Sequence, residues 1–220
     1  FVMIGLLDSD DKPILRAYSI CSPSWSEELE FYSIIVKDGP LTSKLKNIKI
    51  GDYIVMMPKS TGTLVLDALK PGKRLFLFSS GTGFAPFAAL IREPETYERF
   101  ESIIVTHTCR MMAELSYSKS IIQECKNEEL VKEFIDNKLL SYHSTTRDDY
   151  IFNGRITDLI LSGKLFNDLK INSILSDDRF MFCGSMGLNN DLKKIMMENN
   201  FHEGANNNPG EFVLEKAFVG

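Results

Sequence analysis

The sequence predicts a two-domain β plus α/β protein, with an antiparallel β-barrel over residues 1–70 and a parallel-sheet α/β domain over residues 71–220. Short apolar runs separated by turn residues indicate the barrel. The α/β domain is indicated by strand-like and helix-like stretches that alternate after the break at Leu69-Lys-Pro-Gly72.

Composition narrows the class of protein. With 220 residues, of which 44% are hydrophobic and 25% charged, the chain resembles an ordinary globular protein and has enough core for two domains. No apolar run approaches the roughly 20 residues of a membrane span. The net charge of −5 argues against general nucleic-acid binding. We expect a soluble monomer with no membrane and no nucleic-acid partner.

The cysteine pattern indicates a reducing compartment. Cys21, Cys109, Cys125 and Cys183 are scattered, with neither a C-x-x-C pair nor the spacing of an iron–sulfur cluster. No signal peptide is visible, so we expect a cytoplasmic protein. The chain opens on Phe1 within a strand-like run, and we expect the natural protein to have further residues before it.

Positive charge is concentrated in one stretch. From Lys37 to Arg74 there are eight basic residues and three acidic ones, in a chain that is acidic overall. A solvated face is one explanation, and a docking surface for an acidic protein is the other.

Apolar runs predict the elements in order. Barrel strands are predicted at residues 1–7, 17–21, 29–36, 53–57 and 63–66. Strands of the parallel sheet are predicted at residues 75–78, 102–106, 139–144 and 180–183. Helices are predicted at residues 84–91, 113–125, 128–134, 155–162 (capped by Asn153 or Thr157) and 188–199 (with Ile195 and Met196 in the core).

A glycine turn between a strand and a helix is the central feature. Gly81 and Gly83 follow an apolar run and precede a helical stripe in which Pro86 suits the first turn. Amides at such a turn can bind a phosphate, although the motif alone is equally compatible with a plain strand-to-helix turn. The next strand ends near Arg110, where a cation favours the 2′-phosphate of NADP(H) over the ribose hydroxyl of NAD(H).

The barrel half carries a second group of ligand-binding residue types. Strand alternation places Arg16 and Tyr18 on one face and Ser19 on the other. Tyr32 adds an aromatic ring, and the Gly39-Pro-Leu-Thr42 turn adds a hydroxyl and main-chain amides. Together they indicate a large, flat, phosphorylated cofactor.

Five motifs follow one another along the chain: Arg16-Ala-Tyr-Ser19, Gly39-Pro-Leu-Thr42, Gly81-Thr-Gly-Phe-Ala-Pro86, Cys183-Gly-Ser185 and the tail Pro209-Gly-Glu-Phe-Val-Leu-Glu-Lys-Ala-Phe218. In this order and spacing they resemble the bacterial ferredoxin–NADP(+) reductases, also called flavodoxin reductases, from Phe1 to Gly220. The family's opening barrel strand has no counterpart, so the resemblance implies a barrel that is incomplete at its start and has an unpaired edge.

The resemblance implies that the barrel binds FAD. Arg16 would contact the pyrophosphate, Tyr18 the isoalloxazine ring and Ser19 the region of flavin N5. The tail would return to the flavin, with Ala217 at the ring and Phe218 on the adenine. The other implied FAD contacts are Ala17, Tyr32, Pro40, Leu41, Thr42 and Thr82.

The resemblance also implies that the α/β domain binds NADP(H). Arg110, Arg147 and Arg155 would bind the 2′-phosphate. Cys183 would lie beside nicotinamide C4, and Glu215 is similar to the family's proton-linked glutamate. The other implied contacts are Gly81, Thr82, Gly83, Thr108, Thr146, Gly184 and Ser185.

The implied function is electron transfer between NADP(H) and ferredoxin or flavodoxin, because a flavin accepts a hydride and releases electrons singly. The alternatives are the reductase component of an oxygenase and a non-enzymatic flavin or nucleotide sensor. Cysteine spacing argues against a fused iron–sulfur domain. Ser19, Cys183 and Glu215, which would form the transfer site, favour an enzyme.

Overall fold

The computed structural model describes residues 1–216, with only the backbone of Lys216. The predicted contacts of Ala217 and Phe218 therefore lie outside the described residues. The strands are β1 (Val2–Leu7), β2 (Pro13–Tyr18), β3 (Val55–Met56), β4 (Arg74–Ser80), β5 (Ser102–Cys109), β6 (Leu139–Thr145), β7 (Asp178–Gly184) and β8 (Phe212–Lys216). The α-helices are α1 (Thr42–Leu45), α2 (Ala85–Leu90), α3 (Pro94–Arg99), α4 (Ser116–Cys125), α5 (Lys132–Lys138), α6 (Ile156–Leu161), α7 (Lys164–Leu169) and α8 (Met186–Glu198).

The N-terminal sheet is antiparallel, as predicted, with strand order β2-β1-β3. Its register is fixed by the turn after β1, where the Asp8 carboxylate accepts the N–H groups of Asp10 and Lys12 at 2.8 and 2.9 Å. This turn pairs Leu7 with Pro13 and Val2 with Tyr18. The predicted strand at 17–21 was therefore placed wrongly, because the ladder runs over Pro13–Tyr18.

Two other predicted barrel strands are wrong. Residues 29–36 contribute a single bridge, between Ile20 and Phe31. Residues 63–66 form no strand, because the N–H groups of Thr63 and Leu64 donate to the Glu215 carboxylate instead of to a neighbouring strand. Within residues 1–216 the sheet is thus open and has three strands.

The C-terminal sheet is parallel throughout, as predicted, with strand order β6-β5-β4-β7-β8. Helices cover both faces, so β4 and β7 are apolar and almost wholly buried. The stripe of Phe84, Phe87, Ala88 and Ile91 is fully buried against one face. Ile195 and Met196 are also buried, as predicted.

Several predicted helix boundaries need correction. The helix placed at 113–125 begins at Ser116, after a 3-10 turn over Met112–Leu115, and the helix placed at 128–134 runs over Lys132–Lys138. Neither Asn153 nor Thr157 caps α6: Arg155 is its N-cap, and the Asn153 amide donates to the carbonyl of Asp148.

The helix predicted at 188–199 is confirmed with earlier bounds. It begins at Met186 because the Ser185 hydroxyl accepts the N–H of Leu188 at 3.3 Å. Four elements have no counterpart in the sequence predictions: α1, α3, α7 and β8.

A buried arginine joins the N-terminal segment to the parallel-sheet half. Arg92, just after α2, donates to the carbonyl oxygen of Cys21 and to the Glu30 carboxylate, both at 2.6 Å, and to the carbonyl of Ala88 at 3.0 Å. The Trp25 indole N–H donates in turn to the Arg92 carbonyl at 3.1 Å. These bonds fix the segment from Cys21 to Glu30 against the end of α2.

Candidate functional site

A cavity of about 530 Å³ lies between the two sheets. That volume is typical of a site for a cofactor-sized ligand. Its wall consists of Phe1, Arg16, Ala17, Tyr18, Ser19, Tyr32, Ser33, Ile34, Val36, Gly39, Pro40, Leu41, Thr42, Thr82, Ala85 and Glu215. All nine residues of the predicted FAD set that the structure describes belong to this wall. The fold thus brings together positions that the sequence separates by up to 66 residues.

A cation is available at one end of this cavity. Arg16 is exposed, and its guanidinium donates to the carbonyl oxygen of Leu15 at 2.8 Å. It makes no ion pair with any acidic residue in the described part of the chain. Its charge can therefore meet an anionic group such as a pyrophosphate.

Aromatic rings form another part of the wall. Tyr18 meets Phe31 edge-on, with ring centroids 6.4 Å apart. Tyr32 stacks on Tyr117 of α4, with centroids 4.2 Å apart and planes 11° apart. Burial raises the pKa of Tyr32, so its hydroxyl is neutral at physiological pH. Tyr117 of the α/β half thus packs against Tyr32, a wall residue from the N-terminal half.

The loop before α1 is closed by its own threonine. The Thr42 hydroxyl donates to the carbonyl of Val36 and accepts the N–H of Val36, each at 3.1 Å. A Cβ on Gly39 would lie 2.6 Å from that hydroxyl oxygen, so only glycine fits there. The predicted hydroxyl contact of Thr42 is therefore already used inside the loop, and the loop is held rigidly beside the cavity.

Glu215 and Ser19 lie where two cavities meet. Both residues line the large cavity and a neighbouring one of about 200 Å³. The Glu215 carboxylate accepts the N–H groups of Thr63 and Leu64, the latter at 3.4 Å. Its main-chain carbonyl accepts the side-chain amide of Asn189 at 2.7 Å. Asn189, which is 2% exposed, thereby fixes the strand that carries Glu215.

The glycine turn brings the ends of β4 and β7 into contact. Gly81 has φ +54°, a left-handed conformation that favours glycine. A Cβ on Gly83 would overlap the carbonyl oxygen of Cys183, and a Cβ on Gly184 would lie 2.5 Å from the Ser80 hydroxyl. The predicted turn is confirmed, with a 3-10 turn over Gly81–Phe84 before α2 and Pro86 in the first helical turn.

This contact lies at the topological switch point of the sheet. The chain adds β5 and β6 on one side of β4 and β7 and β8 on the other, and ligands of open α/β sheets bind at the carboxyl ends there. Cys183 is 1% exposed at this point. Burial raises the pKa of its thiol, so the group is neutral at physiological pH.

The three predicted 2′-phosphate arginines follow neighbouring strand ends. The Arg147 N–H donates to the Arg110 carbonyl at 3.0 Å, and the Gly154 N–H, one residue before Arg155, donates to the Thr145 carbonyl at 2.9 Å. All three arginines are exposed, and none forms an ion pair within residues 1–216. The fold therefore gathers three unneutralised cations at one sheet edge.

The two predicted threonine contacts differ in availability. The Thr108 hydroxyl is buried and lies 2.8 Å from the Ser144 hydroxyl. Thr146 is exposed, and its hydroxyl lies 3.5 Å from the Cys109 carbonyl. Thr146 can contact a ligand directly. Thr108 is buried and instead links the ends of β5 and β6 through its contact with Ser144.

Two buried polar residues near the site were missed by the sequence predictions. His107 is 1% exposed and hydrogen-bonds to Gly81, and Asn189 supports Glu215 as described above. His107 directly follows the apolar run predicted at 102–106, and Asn189 interrupts the apolar stripe of a helix, which was the only signal available. Their partners come from distant parts of the chain, so the sequence alone could not assign them.

Ion pairs neutralise part of the positive charge between Lys37 and Arg74. Lys70, Lys73 and Arg74 are paired with Glu211, Asp177 and Asp178 at 2.7, 3.6 and 2.6 Å. The remaining basic residues of the stretch make no ion pair with any described residue, and they are Lys37, Lys44, Lys46, Lys49 and Lys59. Lys44 and Lys46 lie in and just after α1, next to wall residue Leu41.

Residues 1–216 contain no group of three or more His, Cys, Asp or Glu side chains arranged to hold a metal ion. No helix among these residues is both long enough and apolar enough to span a bilayer.

The fold and the sequence both match characterised proteins. A ferredoxin NADP+ reductase from Neisseria gonorrhoeae, solved with bound FAD and NADP, superposes with a TM-score of 0.86 over 99% of this chain and 85% of that one, at 23% identity. The flavodoxin/ferredoxin–NADP reductase of Rhodobacter capsulatus is 54% identical over 221 residues, covering 100% of this chain and 82% of that protein. The ferredoxin–NADP reductase of Azotobacter vinelandii is 43% identical and is covered to 85% of its length. No family model matches the sequence.

A small antiparallel sheet followed by a parallel sheet with a switch point defines the class of two-domain fold that this chain shares with the Neisseria structure. Within that class, the chain belongs to the flavodoxin/ferredoxin–NADP reductase family. The resemblance recognised in the five motifs is thereby confirmed.

Proposed function

We propose that this chain is an FAD-dependent enzyme that transfers electrons between NADP(H) and ferredoxin or flavodoxin. The single observation that carries the proposal is the wall of the large cavity, which unites all nine described residues of the predicted FAD set. Membership of the reductase family supports the same reaction.

The cavity fits FAD in its chemistry. Its rim offers the unpaired Arg16 guanidinium for a pyrophosphate, and its interior offers the rings of Tyr18 and Tyr32 for a flat heterocycle. Bound FAD would supply hydride acceptance and one-electron release, which no side chain of this protein can supply. The residues that would hold it are Arg16, Ala17, Tyr18, Ser19, Tyr32, Pro40, Leu41, Thr42 and Thr82, with Ala217 and Phe218 proposed from the tail.

The end of the parallel sheet that carries the three exposed arginines has the chemistry to bind NADP(H). Arg110, Arg147 and Arg155 would meet the 2′-phosphate dianion, and Thr146 would add a hydroxyl. Gly83 and Gly184 let the ends of β4 and β7 approach closely at the switch point, because a Cβ on either would overlap the facing strand end. The remaining proposed contacts are Gly81, Thr82, Thr108, Cys183 and Ser185.

Three residues are proposed for the transfer site. Ser19 and Glu215 share the boundary of the two cavities, so a hydroxyl and a carboxylate are available there to hold or move a proton. Cys183 presents a neutral, buried thiol at the end of β7, where it would orient the nicotinamide without carrying charge.

The electron carrier is proposed to be an acidic protein. Lys44 and Lys46 lie next to wall residue Leu41 and form no ion pair in the described part of the chain, and such a surface would orient an acidic ferredoxin or flavodoxin. We further propose a monomer, with the barrel domain at residues 1–70 and the nucleotide domain at residues 71–220. Four free, buried cysteines favour a reducing compartment, so a cytoplasmic location is proposed.

The test is anaerobic reduction of the purified yellow protein by NADPH. We expect loss of the flavin absorbance within seconds and steady turnover with ferricyanide. Glu215→Gln should slow turnover while leaving the bound FAD content unchanged. A protein that binds FAD but shows no NADPH-driven reduction would support the sensor alternative instead.

A further inference from the structure

His107 connects the glycine turn to helix α4. Its imidazole is 1% exposed on β5, with Nε2 2.8 Å from the carbonyl oxygen of Gly81 and Nδ1 2.7 Å from the hydroxyl oxygen of Ser118. The ring also packs against Phe84, with centroids 5.1 Å apart. The side chain is thus held on both nitrogens and on one face.

These contacts determine which nitrogen carries the proton. A carbonyl oxygen can only accept, so Nε2 is the nitrogen that donates to Gly81. Burial lowers the pKa of His107 to about 4, so the ring is neutral at physiological pH and has one proton. Nδ1 is then an acceptor, so the single hydroxyl proton of Ser118 points to Nδ1, 2.7 Å away, and not to the carbonyl oxygen of Leu115, which is 3.1 Å away. The ring cannot flip without losing both bonds.

The hydrogen bond to Gly81 orients one peptide of the turn. The carbonyl of Gly81 and the N–H of Thr82 belong to the same planar trans peptide and point to opposite sides. Directing the carbonyl to the buried His107 therefore directs the Thr82 N–H outward. Apart from its chain neighbours, no atom lies within 4 Å of the position a Cβ on Gly81 would take, so no side chain packs against this peptide from that side, and its other restraint is the short 3-10 turn over Gly81–Phe84. The bond to His107 is the side-chain contact that restrains its orientation.

We propose that His107 is a positioning residue for the dinucleotide: it holds the Gly81–Thr82 peptide so that the Thr82 N–H faces the pyrophosphate of bound NADP(H). A main-chain N–H at a glycine turn is a suitable donor to a phosphate oxygen. The inference rests on the NADP(H) site proposed above and concerns its pyrophosphate end, which is separate from the arginine cluster.

Two substitutions of His107 separate the two ring contacts. The side-chain amide of glutamine reaches the position of Nε2, whereas that of asparagine reaches only the position of Nδ1. His107→Gln can therefore still donate to Gly81, and His107→Asn cannot. Both replace the ring by a smaller polar group, so they share the loss of the contact with Phe84.

The experiment is calorimetric titration of the FAD-loaded variants with NADP+ and with adenosine 2′-phosphate, which lacks the pyrophosphate. We expect His107→Asn to weaken NADP+ binding about tenfold, as the loss of one hydrogen bond to the turn implies. Binding of adenosine 2′-phosphate should be unchanged, and His107→Gln should bind NADP+ within about twofold of the parent.

Three outcomes would overturn the inference: unchanged NADP+ binding by His107→Asn, an equal loss in both variants, or a parallel loss for both ligands, which would indicate general distortion of the sheet edge. If His107→Asn does not fold, Ser118→Ala takes its place, with a smaller loss expected for NADP+ only. A parent protein that binds neither ligand would contradict the proposed function itself.

Discussion

The main-chain N–H of Arg147 donates to the carbonyl oxygen of Arg110 over 3.0 Å, just beyond the last paired residues of β5 and β6, Cys109 and Thr145. This bond continues the pairing of β5 with β6 by one residue. The two exposed guanidinium groups therefore lie on neighbouring segments. Arg155 joins them because Gly154 donates to the carbonyl of Thr145. Mutual repulsion of these cations would be relieved by a dianion.

Arg155→Ala should weaken NADPH use selectively. A charge-assisted contact to a dianion contributes on the order of 1.5–3 kcal/mol, so the KM for NADPH should rise roughly ten- to a hundredfold while the KM for NADH stays nearly constant. Arg99→Ala is the matched control. Arg99 is an exposed residue of α3 that is already paired with Glu95 of the same helix and with Asp67. Steady-state kinetics with both nucleotides measure this, and an equal rise for NADH would refute the assignment.

Reversal of Lys44 and Lys46 to glutamate should slow electron transfer to an acidic carrier. Steering by a basic surface weakens as the Debye length falls from about 10 Å at 0.1 M salt to about 3 Å at 1 M. The parent rate should therefore fall with salt, and the reversed variant should show a flatter dependence.

The control for that experiment is twofold. NADPH oxidation by ferricyanide should be almost the same in variant and parent, because a small acceptor needs no docking. Lys73→Glu, which changes a lysine already paired with Asp177, should keep the parental salt slope. Stopped-flow rates with an identical slope in the parent and the Lys44/Lys46 variant would place the docking surface elsewhere.

Arg92→Met should destabilise the junction between the N-terminal segment and α2. The methionine retains much of the apolar stem but leaves the carbonyl groups of Cys21 and Ala88 without their donor. An unsatisfied buried polar group costs about 1–3 kcal/mol, so the free energy of unfolding should fall by that amount. Glu30→Gln, at a side chain that is 49% exposed, should change it by less than about 1 kcal/mol. Equal losses in urea unfolding would argue against the role of Arg92.

Stability should fall as the pH is lowered from 7 to 5. Burial lowers the pKa of His107 and of His143 to about 4, with Lys119 and His107 adding to the effect on His143. Both rings are neutral in the folded protein, while an unfolded histidine binds a proton below about pH 6.5. The unfolded state therefore binds more protons in this range, and stability is fully present above pH 6.5 and lost toward pH 4.

For His107 the loss at pH 5 is on the order of 2 kcal/mol. Replacing both histidines by glutamine should make the thermal unfolding midpoint less dependent on pH between 5 and 7. Glu211, whose pKa is lowered to about 2 by its hydrogen bonds to Lys70 and His202, stays ionised throughout this window and does not interfere. A midpoint that falls equally in the double variant would show that other groups are responsible.

Local patterns were enough for much of the fold. The alternation of strands and helices after residue 72 predicted the parallel sheet, and buried strand β4, the glycine turn and the helical stripe beside Pro86 were found where the sequence placed them. These features succeed because neighbours in the chain determine them: apolar periodicity selects the element, and glycine adopts the positive φ of Gly81 without the steric cost of a Cβ.

The tertiary structure decided what depends on distant partners. Thr63 and Leu64 form no strand because the Glu215 carboxylate, 152 residues from Thr63, takes their N–H groups. Likewise, three of the eight basic residues between Lys37 and Arg74 are neutralised by acidic residues far along the chain. His107 contacts both Ser118 and Gly81 only because α4 and the glycine turn meet around it. Sequence determined which residue types are available; the fold determined which of them meet, since hydrogen bonds and ion pairs form between groups that packing brings within about 3–4 Å.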